Sequence, residues 1–161
     1  LENKPINHYL KHSETNVLTK RFYNGEFLPS DDENTFSLLT VLTEKHEAIY
    51  PFYFHCLNSI CMVSDGALSE VLGEPCLKMV YNYPDYTFSI FKDNSELFDK
   101  YSQFIGYELY FQKYGTSNVE ISEIVFLNYL KENLNLADNE VLKLYNEFID
   151  KIEQVKKNME D

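Results

Sequence analysis

At 161 residues and 19.0 kDa the chain has the length of one ordinary domain, enough to bury a single core without disulfides or metal. Its 26 Asp and Glu outweigh 14 Lys and Arg, a net charge of −12 that repels phosphate backbones and anionic lipid and so argues against nucleic-acid and membrane-surface roles. Arg21 is the lone arginine, which removes the usual bidentate reader of phosphate, and no apolar run is long enough for membrane insertion as a spanning helix.

The charge is unevenly spread. Residues 1–29 carry 4 Lys/Arg against 3 acids, net +1, whereas the remainder carries 10 against 23, net −13. A polar N-terminal segment, 1–29, therefore precedes an acidic body, 30–161. In the segment the clearest local signal is Asn24-Gly25 between LTKRFY and EFL, which suits the turn of a short hairpin or an irregular loop.

From Ser30 the pattern becomes helical. Ser30 and Glu33 have capping-box spacing, and Asp31, Asp32 and Glu33 put three carboxylates into the first turn, where the helix dipole favours them. Tyr50-Pro51 interrupts this helix and starts another, expected from Pro51 to about Val63. Ser64-Asp65-Gly66 offers a stop and a new N-cap before Ala67, Leu68, Val71 and Leu72, and PCLKMVYN follows as a further short helix. The tract Tyr81 to Phe91, YNYPDYTFSIF, is expected as an aromatic connector turning at Pro84-Asp85, with a few extended residues. Three helices complete the chain: about Ser95 to Tyr114, ended by Gly115; about Asn118 to Asn133, opened by Ser117 and Glu120; and about Ala137 to Lys157.

Aromatic residues make up 16% of the chain, 13 Tyr and 12 Phe with no Trp, while Gly and Pro number 5 each. Few breakers and many bulky side chains predict an all-α, single-domain helical bundle of five to seven helices with a short irregular or hairpin-containing N-terminal segment.

Several stretches could carry chemistry. FYFHCLNSICMVSDGALSE, Phe52 to Glu70, gathers His55, Cys56, Cys61 and Asp65, but on an intact helix His55 and Cys61 lie about 240° apart and the two cysteines about 140° apart, so neither pair chelates one ion. The cysteines behave as small hydrophobes. His55, Asn58 and Ser59 share a face, and with Asp65 they form a candidate polar groove. Side chains at i and i+4 stack alongside each other rather than meeting head-on, so Ser59 and His55 do not make a triad. His8 and His12 have the spacing of two zinc ligands, with no glutamate between them and no evident third ligand. No metal, cofactor or catalytic residue is assigned.

Two aromatic stripes share the helix from Ser95: Phe98, Tyr101, Ile105 and Leu109, and separately Tyr107, Tyr110, Phe111 and Tyr114. An exposed tyrosine stripe in an acidic protein suits a basic protein partner, with Asp31, Asp32, Glu33, Tyr107, Tyr110 and Tyr114 as the candidate partner-binding residues. The expectation is a non-enzymatic acidic protein-binding domain. In general character, with no shared motif, it is similar to the immunity proteins of bacterial antagonism systems, small acidic inhibitors that neutralise toxins. Two other classes stay open: a helical small-molecule or lipid-binding domain with an aromatic pocket, and a small hydrolase using carboxylates or His55. The odd number of cysteines favours a cytoplasmic setting, while the start at Leu1 rather than Met leaves a periplasmic one open if a signal was removed. Oligomeric state is left open.

Overall fold

A computed structural model describes residues 1–2, 4–117 and 120–160. These residues form helices and no strand, as the composition predicts, but ten helices rather than five to seven. They are α1 (Ile6–Leu10), α2 (Val17–Tyr23), α3 (Glu33–Thr43), α4 (Tyr50–Val63), α5 (Gly66–Glu70), α6 (Gly73–Asn82), α7 (Pro84–Asp93), α8 (Ser95–Lys113), α9 (Glu123–Asn133) and α10 (Asn139–Asn158). No described helix is long and apolar enough to cross a membrane. The chain divides into two compact units, Leu1–Ser69 and a second from Glu70 onward.

In the first unit, α3 packs on α4 and α2 on both. The N-terminal segment carries two short helices, α1 and α2, joined by irregular stretches, and at Asn24-Gly25 it forms a helix end rather than a hairpin turn. Asn24 is the C-cap of α2, and Gly25 follows with φ +74°. The Gly25 N–H donates to Phe22 O at 2.9 Å and the Glu26 N–H to Arg21 O at 3.0 Å, the paired bonds of a Schellman motif. The left-handed conformation that makes Asn-Gly a hairpin signal serves here to end a helix. Arg21 Nε reaches Glu26 Oε2 at 2.9 Å across the same turn.

The start of α3 also differs from the expected capping box. Asp32, not Ser30, is the N-cap, its Oδ1 accepting the Thr35 N–H at 2.8 Å. Ser30 Oγ donates to Asp32 Oδ2 at 2.7 Å, and its N–H donates to the buried Thr35 hydroxyl at 3.0 Å. Of several consecutive capping residues, Thr35 selects the one three positions before it.

Proline starts α4 as expected, and this helix is buried on most of its faces through Phe52, Tyr53, Phe54, Cys56, Leu57, Ile60 and Cys61. Tyr53 Oη accepts the N–H of Asn16 at 3.0 Å, while Asn16 Oδ1 caps α2 through the Leu18 N–H at 2.8 Å. Tyr9 stacks on Phe52 with ring centroids 5.9 Å apart. The N-terminal helices are thus fixed to α4 by the Asn16–Tyr53 hydrogen bond and by ring contacts from both Tyr9 and Tyr23, the latter with its centroid 5.3 Å from that of Phe52.

In the second unit α8 lies between α6 and α10, with α7 packed on all three and α9 on α6 and α7. The tract 81–91 is mostly helix rather than connector. Pro84 occupies the first turn of α7, where it needs no N–H partner, and Asp85 stands in the same turn facing the positive end of the dipole. Phe88 and Phe91 then fall one turn apart and join Phe98 and Phe148, with Phe88–Phe148 centroids 5.4 Å apart and Phe91–Phe98 5.7 Å apart. Asn94 caps α8 through the Leu97 N–H at 3.0 Å. Gly115 ends that helix as expected.

At Gly106 the backbone of α8 comes against α10, and a Cβ there would stand 2.7 Å from Val155 Cβ and 3.3 Å from Ile152 O. Only glycine allows this approach. The helix expected from Asn118 is capped by Ser122 and begins at Glu123; residues 118 and 119 lie outside the described residues. Ser117, expected to open it, instead donates from Oγ to Glu108 Oε1. Lys156 holds α9 to α10, with Nζ 2.5 Å from Glu123 Oε1 and 2.9 Å from Glu153 Oε1.

Candidate protein-binding face

The two stripes of α8 have opposite fates. Phe98, Tyr101, Ile105 and Leu109 are buried. On the other side Tyr107 and Tyr110 are half-buried, Phe111 is 41% exposed and Tyr114 is 54% exposed. Tyr110 contacts Tyr114 with ring centroids 4.7 Å apart and Phe111 at 5.7 Å, so three of the four rings form one aromatic ledge. Partial desolvation and the neighbouring Tyr114 raise the Tyr110 hydroxyl's pKa above the ordinary phenol value. Lys113 crosses the ledge, its Nζ 5.4 Å from the Tyr114 ring centroid and 2.5 Å from Glu160 Oε1.

Beside the ledge, α8 and α10 border an open groove of about 410 Å³ lined by Asp99, Gln103, Tyr107, Lys151, Gln154 and Asn158 among others. Tyr107, the fourth ring of that stripe, lines the groove instead, its hydroxyl accepting from Gln103 Nε2 at 2.8 Å. Lys151 pairs with Asp99 and lies 5.3 Å from the Phe98 ring centroid. A smaller groove of about 220 Å³, between α7 and α10, is lined by Phe88, Leu134, Val141 and Leu144 and by the Lys92–Glu140 ion pair.

The remaining candidates are distributed elsewhere. Asp31, Asp32 and Glu33 belong to the first unit and the tyrosines to the second. Asp31 and Glu33 are exposed, whereas Asp32 is held below the usual carboxylate range by the Thr35 N–H and the Ser30 hydroxyl, in keeping with its capping role. His55 and Asn58 are half-buried on α4, Ser59 is exposed, and Asp65 is exposed in the loop after that helix. Ser59 Oγ donates to the backbone oxygen of His55 at 2.9 Å, and the His55 ring centroid lies 6.2 Å from that of Tyr23. Burial lowers the His55 pKa, which favours the neutral imidazole.

Helix α1 ends at Leu10, so His8 and His12 do not share a helix, and His12 Nδ1 accepts the Glu14 N–H at 3.3 Å. Among the described residues no group of three His, Cys, Asp or Glu side chains is arranged to hold a metal ion. All three cysteines are buried, and burial pushes the Cys56 thiol up to about 12.

The groove was not anticipated from sequence. Its signal is weak but present: Lys151, Gln154 and Asn158 follow at spacings of three and four on α10, and Gln103 precedes Tyr107 by four on α8, so polar rows flank both helices. Compared with protein-family models, curated proteins and solved structures, the chain matches none.

Proposed function

We propose that the chain is a non-enzymatic acidic protein-binding domain that engages a basic protein partner through the α8 ledge. The observation that carries this reading is the exposure of Phe111 and Tyr114 beside Tyr110, because clustered aromatic rings left in water supply the anchors of protein interfaces. Charge supports it too. The second unit has 17 Asp/Glu against 9 lysines, and six of those lysines, Lys78, Lys92, Lys113, Lys143, Lys151 and Lys156, are already paired with carboxylates. The surplus field is negative, which steers cationic surfaces toward it. An immunity-type inhibitor, covering a basic toxin, is the form of this reading that suits the chain's size and charge.

The test is affinity capture from the native source with the wild-type chain and with the double variant Tyr110→Ala/Tyr114→Ala, each at low and raised salt. A basic protein retained by the wild type, lost from the variant and released by salt is expected. An acidic partner, or equal retention by wild type and variant, overturns the reading.

A further inference from the structure

We propose that the groove between α8 and α10 is a docking slot for an extended, lysine- or arginine-bearing segment of the partner, and that Lys151 holds the cation position in the free protein. The inference rests on the basic-partner reading. Asp99 and Phe98 together make a cation position, a carboxylate beside an aromatic ring, and Lys151 occupies it with its Nζ on Asp99 and 5.3 Å from the ring centroid. That ion pair is solvent-accessible, with side-chain exposures of 43% for Lys151 and 57% for Asp99, so an incoming cation can displace the lysine on its flexible stem.

Three amides, Gln103, Gln154 and Asn158, line the same groove. Each offers both a donor and an acceptor, the pair of functions that an extended backbone presents. The hydroxyl of buried Ser102 is satisfied by Phe98 O at 2.8 Å, leaving the exchangeable polar groups on the walls. Tyr107, one turn before the ledge residues Tyr110 and Phe111 on α8, lines the slot with its hydroxyl held by Gln103. An anionic ligand would meet the surplus negative field, and so would a second copy of this chain; a cationic segment is the occupant that the charge favours.

The probe is a fluorescein-labelled decapeptide alternating lysine with valine, read by anisotropy against the full chain, with a glutamate–valine peptide as its counterpart. Asp99→Asn should weaken binding by about five-fold, the size that an exposed charge pair allows. Lys151→Ala should tighten it by about three-fold, since it removes the internal competitor. Gln103→Ala/Gln154→Ala should weaken it without altering its salt dependence. Thermal unfolding of each variant within a degree or two of wild type establishes that the fold is intact. Weaker binding by Lys151→Ala, indifference to Asp99→Asn, equal binding of the glutamate peptide, or a dimer by sedimentation that Asp99→Asn dissolves would each overturn the slot. A stripe-dependent basic partner combined with a peptide indifferent to Asp99→Asn defeats the slot alone; a captured acidic partner defeats the function it rests on.

Discussion

Gly106 meets Val155 so closely that an added Cβ would stand 2.7 Å from Val155 Cβ, with 2.8 Å to its Cγ1. Two effects oppose each other in Gly106→Ala. Alanine gains about 1 kcal/mol in helix propensity over glycine, but overpacking a closed contact costs about 1–3 kcal/mol. The obstructing atoms are a branched β-carbon and the backbone oxygen of Ile152, neither the free end of a flexible side chain, so the clash should win and the variant should melt earlier by a few degrees. A higher melting temperature would mean that α10 gives way.

Ile60 is fully buried in α4. Ile60→Asp places an unpaired carboxylate there, at a cost of several kcal/mol, on the order of the whole stability of such a domain. Loss of the cooperative unfolding transition is expected in circular dichroism. A native-like melt would show that α4 is not central to the first unit.

Tyr53→Phe removes the acceptor of the Asn16 N–H while keeping the ring. Leaving that donor unmet should cost about 1–3 kcal/mol. Hydrogen exchange should quicken most over α1 and α2, which this bond fixes. Uniform quickening along the chain would refute so local a role.

Burial raises the pKa of Glu108, opposed by the Ser117 hydroxyl and reinforced by Glu74. A carboxyl whose folded pKa exceeds its unfolded one, near 4.5, contributes stability below that value and loses it as pH climbs through the folded pKa. Glu108→Gln keeps an acceptor for Ser117 without the charge. The variant's melting temperature should match wild type at pH 4 and exceed it at pH 7; a variant less stable than wild type at pH 7 would reverse the sign.

Partner association should slow as salt rises, since screening confines steering to about 8 Å at physiological ionic strength. Asp31→Asn and Glu33→Gln should lower the on-rate; Asp32 is left intact because it caps α3. Tyr110→Ala should act on the off-rate instead. Surface plasmon resonance separates the two, and an off-rate unchanged by Tyr110→Ala would remove the ledge from the interface.

The start of α4 at Tyr50-Pro51 and the end of α8 at Gly115 were legible because those residues admit few conformations. Asn24-Gly25 and Pro84-Asp85 were ambiguous for a physical reason: a left-handed residue suits a hairpin turn or a helix end, and a fixed φ suits a turn or a first helical position. Only the packing of Phe88 and Phe91 against α8 and α10 decides the second case. Both stripes of α8 were visible as helical periodicity, which says nothing about which one faces water. The groove needs Asp99 beside Lys151, 52 residues apart in sequence, a pairing that no local pattern encodes.

The buried thiols give the molecule its own clock for opening. Cys56 and Cys61 lie in the first unit and Cys76 in the second. With its thiol pushed up to about 12, Cys56 supplies almost no thiolate to an alkylating reagent until its helix is released into solvent. Modification at Cys56 and at Cys76, followed residue by residue in mass spectrometry, therefore counts excursions of each unit separately. Matching rates would mean that the halves open as one cooperative body, and divergent rates that one half yields while the other holds.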